Sequence, residues 1–148
     1  MHTVITGANR GIGLEFCRQC REAGHSVTGL CREASEELKQ LGVDIIENVD
    51  VRNPPDLSEL SKIDWLILNA GIWRDESLDN LNFETITEQF EVNTLGPLRI
   101  LEKMLDRLTE GSKVVLITSQ MGSIADNTSG GRYGYRMSKA ALNCAGVS

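Results

Sequence analysis

Thr6-Gly7-Ala8-Asn9-Arg10-Gly11-Ile12-Gly13 lies between the β-branched run Val4-Ile5-Thr6 and a segment, Ile12 to Arg21, whose apolar residues Ile12, Phe16 and Cys20 recur at helical spacing. The stretch therefore reads as strand, glycine turn, helix. At that position glycines permit a tight turn and let the backbone approach a pyrophosphate at the helix N-terminus. The spacing is Gly-x-x-x-Gly-x-Gly, which differs from the usual dinucleotide fingerprint Gly-x-Gly-x-x-Gly. A purely structural glycine turn would look the same, so the rest of the chain has to decide between them.

Ser26 to Leu30 regains strand character after the stop signal Gly24, and Ala34 to Leu41 reads as a short amphipathic helix closed by Gly42. Val43-Asp44-Ile45-Ile46 starts a third strand. Pro54-Pro55 breaks the chain, a short helix is expected near Asp56 to Ser61, and Ile63 to Leu68 is an apolar run of strand length. From Phe83 to Leu108, apolar residues at Ile86, Phe90, Leu101, Leu105 and Leu108 predict a long helix, bent where Gly96-Pro97 interrupts its hydrogen bonds. Gly111 leads into a strand from Lys113 to Thr118, a polar loop spans Ser119 to Gly134, and Tyr135 to Cys144 returns to helical spacing. Strands this apolar, each followed by a helix, predict an α/β fold with a doubly wound, Rossmann-like parallel sheet in strand order 3-2-1-4-5.

With 148 residues, 41% of them hydrophobic, the chain can bury one core, and residues 1–148 are read as a single domain. The 15 basic and 21 acidic residues give a net charge of −6, which repels phosphate backbones and anionic membranes. Neither nucleic acid nor membrane is expected as a partner. The N-terminus shows no secretory pattern and no apolar run approaches the roughly 20 residues needed to cross a bilayer, so a cytoplasmic location is expected. Cys17 and Cys20 form a CxxC inside a helical pattern with no second pair to complete a metal site; no metal and no thiol chemistry is expected.

The turn from Thr6 to Gly13 resembles the cofactor turn of the short-chain dehydrogenase/reductase family, and four later segments agree in order. Asp50-Val51, after the third strand, resembles the pair that contacts adenine; Asn69-Ala70-Gly71 resembles the family's motif beside the cofactor. Asn93 resembles its structural and proton-relay asparagine, and Tyr135-Arg136-Met137-Ser138-Lys139 matches Tyr-x-x-x-Lys. Singly, each has a plain alternative: a solvated acid, an ordinary turn, a helix residue facing solvent, a surface Tyr–Lys pair. The resemblance covers essentially all of the chain, and it implies a nicotinamide cofactor held by Gly7, Asn9, Arg10, Gly11, Ile12, Gly13, Arg32, Asp50, Val51, Asn69, Ala70, Gly71, Tyr135 and Lys139.

On a helix Tyr135 and Lys139 share a face, and a cation near a phenol brings it toward a usable proton-transfer range. Tyr133 has no lysine four residues on. The family places a serine just after the fifth strand; Ser119 fits that place, and Ser123, closer to Tyr135 in sequence, is its rival. The wide Ser119-to-Tyr135 interval and the run Tyr133 to Asn143 resemble the C-factor-like and sniffer-like carbonyl reductase subgroup. The resemblance implies that Ser119 polarises a carbonyl, Tyr135 delivers the proton, and Lys139 holds the nicotinamide ribose and tunes Tyr135. The backbone at Asn93 would retain a water that feeds Lys139.

NADP is expected rather than NAD, because Arg32 just beyond the second strand is placed to meet a 2′-phosphate where an NAD enzyme would carry an acid, and Arg10 adds to that charge. Glu33 beside Arg32 pulls the other way. The implied activity is an oxidoreductase moving hydride between NADP(H) and a small carbonyl or alcohol substrate, in a homo-oligomer. Family members continue beyond the tyrosine helix with further strands, which this chain lacks. The alternative is therefore a truncated, non-catalytic cofactor-binding or interaction protein.

Overall fold

Val4 and Ile5, both fully buried, point to opposite faces of the central strand, and the sheet is built outward from that alternation. The computed structural model describes residues 1–148. His2–Thr6 (β1), Ser26–Leu30 (β2), Asp44–Ile46 (β3), Ile63–Leu68 (β4) and Leu108–Leu116 (β5) form one sheet in the order β3-β2-β1-β4-β5. Every pairing is parallel, with Val4 opposite Thr28 on one side and Leu66 on the other. Doubly wound topology follows directly, and the carboxyl ends of all five strands share one edge.

Both faces are covered over β1, β2 and β4, while the edge strand β5 has no buried residue. Gly11–Glu22 (α1) and Glu36–Gln40 (α2) cover one face, where Ile5, Val27 and Ile67 pack with Cys17, Cys20 and Leu38. On the other, Val4, Leu30, Leu66 and Leu68 pack with Val92, Ile100 and Met104 of the long helix. That helix comprises Phe83–Phe90 (α3), one π turn at Glu91–Leu95, and Gly96–Met104 (α4). Tyr133–Val147 (α5) packs beside α3 and the π turn.

Three sequence expectations are corrected. No helix forms at Asp56–Ser61; the Asp56 carboxylate accepts from the backbone N–H and the hydroxyl of Ser58, an Asx turn that competes with helical bonding. The long helix ends before Leu108, which instead begins β5 opposite Ile63. Gly111, at φ +87°, lets Thr109–Ser112 loop out of register, and the Ser112 hydroxyl fastens that bulge by donating to Ile63 O at 2.7 Å. Finally, the irregularity expected at Gly96-Pro97 sits one turn earlier as the π turn, since Pro97 has no N–H for the carbonyl of Asn93.

Candidate active site

The glycine turn closes tightly. Gly7 takes φ +66°, and a β-carbon on it would stand 3.0 Å from Ala70 Cα; one on Gly13 would stand 2.2 Å from Gly7 O. Only glycine lets α1 start this close to the turn. Asn69 ties β4 to it, donating through Nδ2 to Thr6 O at 3.0 Å, while the Thr6 hydroxyl accepts from the N–H groups of Asn69 and Ala70. No side chain caps the N-terminus of α1, so its first N–H groups are available to an anion.

A cavity of about 460 Å³ opens at this edge and unites Gly7, Asn9, Arg10, Gly11, Ile12, Arg32, Asp50, Val51, Asn69, Ala70 and Gly71. Gly13 lies behind the turn, and Tyr135 and Lys139 lie beyond Gly71 rather than on the cavity wall. The lining fits a dinucleotide: a helix start for phosphates, apolar Val51 and Leu30, and four arginines, of which Arg52 pairs with Asp50 and Arg74 with Glu88. Neither Arg10 nor Arg32 has a carboxylate oxygen within 4 Å. Asp50 is different; Arg52 grips its carboxylate, Nη2 to Oδ2 at 2.6 Å, and holds it below the usual carboxylate range.

Lys139 is 4% exposed and donates through Nζ to Ile117 O at 2.8 Å. Burial pushes its ammonium down to about 8. The same Nζ lies 5.9 Å from the Tyr135 ring centroid, and a β-carbon at Gly71 would meet it at 3.6 Å and Asn93 Oδ1 at 3.3 Å. Tyr135, Lys139, Asn93 and Gly71 thus meet at one point.

Asn93, fully buried on the π turn, accepts from Ile72 N at 2.8 Å and donates to Ile72 O at 2.8 Å and Ser138 Oγ at 3.0 Å. It joins the segment after β4 to α5. Ser119 lies three residues past the end of β5, two residues beyond the carbonyl that holds Lys139. Its Oγ accepts from Met121 N at 3.2 Å, which leaves the hydroxyl hydrogen free to donate. Ser123 Oγ accepts from Asp126 N farther along the loop. Gly122 packs the intervening turn onto α5, where a β-carbon would stand 2.8 Å from the Lys139 carbonyl carbon.

The structure adds residues that sequence reasoning missed. Trp73 lies with its ring centroid 6.2 Å from that of Tyr135. Glu76, 3% exposed, accepts from Gly134 N at 3.3 Å and from the Gln89 amide, while its backbone carbonyl accepts from Arg132 N at 2.7 Å. Its carboxylate caps α5 just before Tyr135. An acid among polar loop residues carries no sequence signal of such burial, whereas Trp73, directly after Asn69-Ala70-Gly71-Ile72, could have been suspected from its position.

The short chain dehydrogenase family profile matches residues 1–145. The chain is 39% identical, over its whole length, to a 1-hydroxy-2-glutathionyl-2-methyl-3-butene dehydrogenase from a Rhodococcus species, of which it spans 70%. It is 47% identical over 88 residues to C-signal of Myxococcus xanthus, in a match covering 56% of this chain and 52% of that one. Among solved structures, a carbonyl reductase from Pseudomonas aeruginosa in complex with NADP superposes with a TM-score of 0.85 at 30% identity, covering 98% of this chain and 73% of that one. NADPH-bound carbonyl reductase from chicken fatty liver gives 0.83 at 28% identity, covering 97% and 70%. With its parallel 3-2-1-4-5 sheet and a profile match over nearly every residue, the chain belongs to the short chain dehydrogenase family of oxidoreductases.

Proposed function

We propose that this chain carries the cofactor-binding and proton-transfer groups of an NADP-dependent reductase that interconverts a small carbonyl compound and its alcohol. The carrying observation is the buried Lys139 ammonium, held by Ile117 O and facing both the Tyr135 ring and Gly71 beside the cofactor-sized cavity. A buried cation beside a phenol is costly as mere packing and useful as proton-transfer machinery.

Gly7, Asn9, Gly11, Ile12 and Gly13 form the turn that would take the pyrophosphate; Asp50 and Val51 would flank the adenine, and Asn69, Ala70 and Gly71 would line the path toward the nicotinamide. Arg32 and Arg10, both without a carboxylate partner, favour NADP through its 2′-phosphate. The NADP- and NADPH-bound carbonyl reductases support this choice. When bound, NADPH supplies the hydride that reduces the carbonyl carbon. The Ser119 hydroxyl donates to the carbonyl oxygen and Tyr135 transfers its proton to that oxygen as the alcohol forms. Lys139 would hold the ribose and would stabilise the phenolate left behind. Pro97 offers no N–H to the Asn93 backbone carbonyl, which would hold a water that returns the proton. Oxidation of an alcohol runs the same steps in reverse; the Rhodococcus relative is named as the dehydrogenase of a 1-hydroxy compound. A cytoplasmic, homo-oligomeric enzyme completes this reading.

NADPH consumption measured against a panel of small ketones, aldehydes and quinones tests it. Turnover with at least one carbonyl, at least about tenfold better with NADPH than NADH, is the expected result. NADPH binding with no turnover across the panel would contradict it and leave a cofactor-binding protein.

A further inference from the structure

A second cavity, about 390 Å³, lies between Trp73 and the loop that runs from Gln120 to Arg132, and Arg132 and Arg136 both line it. The two arginines are four apart at the start of α5, with Arg136 N donating to Arg132 O, and therefore share a helix face. Trp73 joins this cavity to the site described above, its ring lying 6.2 Å from Tyr135 and 5.5 Å from the Arg132 guanidinium.

Arg136 has no acid of its own. Arg136 is 9% exposed, yet no carboxylate oxygen lies within 4 Å of it; Nη2 donates to Ser129 Oγ at 2.8 Å, Nη1 to Met121 O at 3.4 Å, and Nε has no partner. Arg132 Nε also lacks a hydrogen-bond acceptor, and Asp75, itself mostly exposed, reaches it only at 3.5 Å. Asp126 lines the same cavity, but its carboxylate is engaged by the Gln120 amide. A guanidinium withdrawn from water is normally matched by an acid, and its planar fork suits the two oxygens of a carboxylate.

We propose that this cavity is an anion subsite and that the substrate is a carbonyl compound, or its alcohol, bearing a carboxylate at the end remote from the reacting carbon. The proposal rests on the reductase reading for its reacting end. The carbonyl lies at Tyr135, the body of the substrate passes Trp73, and the carboxylate meets Arg136 and Arg132. The cavity is large enough for a small organic acid and polar enough to reject a neutral ester of the same shape.

Two measurements on the full chain test this. The first compares kcat/KM for 4-carboxybenzaldehyde and methyl 4-formylbenzoate with NADPH. The acid should be favoured at least about tenfold, and Arg136→Met or Arg132→Met should bring the ratio close to one, with Arg136→Lys retaining part of it. The second follows benzoate and benzamide binding by NMR without turnover, and benzoate alone should bind, weakened by Arg136→Met. Circular dichroism verifies folding; if Arg136→Met unfolds, Arg132→Met decides. Equal use of acid and ester overturns the subsite and leaves the reductase reading standing. Benzoate binding that depends on the arginines, with no carbonyl reduced, upholds the subsite and overturns the reductase reading. Absence of both turnover and benzoate binding overturns both.

Discussion

Lys139 shows how one side chain carries both a cost and a use. Folding lowers its pKa from 10.5 to about 8 through burial, so between those values the unfolded chain binds the extra proton and stability rises with pH. Unfolding free energy measured by urea titration should gain about 3 kcal/mol from pH 8 to 10.5 relative to Lys139→Met, in which this gain is absent. A difference that stays flat over that range would show that the ammonium is not buried. Arg32 is the second residue-scale case: Arg32→Ala should lower the NADPH-over-NADH preference at least about tenfold, read from kcat/KM with each cofactor. At this scale the sequence anticipated placement: Lys139 does lie beside the Tyr135 ring, and Gly7 and Gly13 sit where a β-carbon would meet backbone. It was silent on Arg52 and Glu76, whose partners depend on loop positions that no periodicity encodes.

At the level of elements, the start of α5 is set from outside the helix. Arg132 sits at φ 54°, offers no side-chain cap, and leaves that task to Glu76, held in turn by Gln89. Glu76→Ala would strand the Gly134 N–H and the Gln89 amide in the interior, so a loss of about 2–4 kcal/mol in urea unfolding is expected, with kcat falling as Tyr135 loses its placement. Glu76→Gln should lose less on both measures. Equal stability of Glu76→Ala and the parent would mean that α5 needs no such cap. Most strand and helix identities were readable from apolar period together with glycine and proline breaks, and β2 and β4 coincide with their expected bounds. The missed elements were decided by local side-chain bonds: Asp56 to Ser58 in place of a helix, and Ser112 to Ile63 in place of a later strand start. The π turn at Asn93 follows from Pro97, but only coordinates reveal which turn absorbs the missing N–H.

Across the whole molecule, the parallel sheet gathers residues from Thr6 to Lys139 at one edge, which is why order along the chain predicted proximity in space so well. Leu95 and Leu98 on the long helix, Leu105 in the turn after it and Met137 on α5 remain exposed, apolar side chains suited to a second copy. Light scattering should therefore give a dimer or larger, and Leu98→Arg should shift it to monomer; a parent that is monomeric at micromolar concentration would contradict this. The chain spans 70% of its Rhodococcus relative, and its match to C-signal covers 52% of that protein. The most direct test is Tyr135→Phe, assayed for carbonyl reduction alongside its affinity for NADPH. Reduction should fall about a thousandfold with NADPH binding kept within a few-fold, because only the phenolic proton is lost. Reduction that persisted at the parental rate would place the proton donor elsewhere.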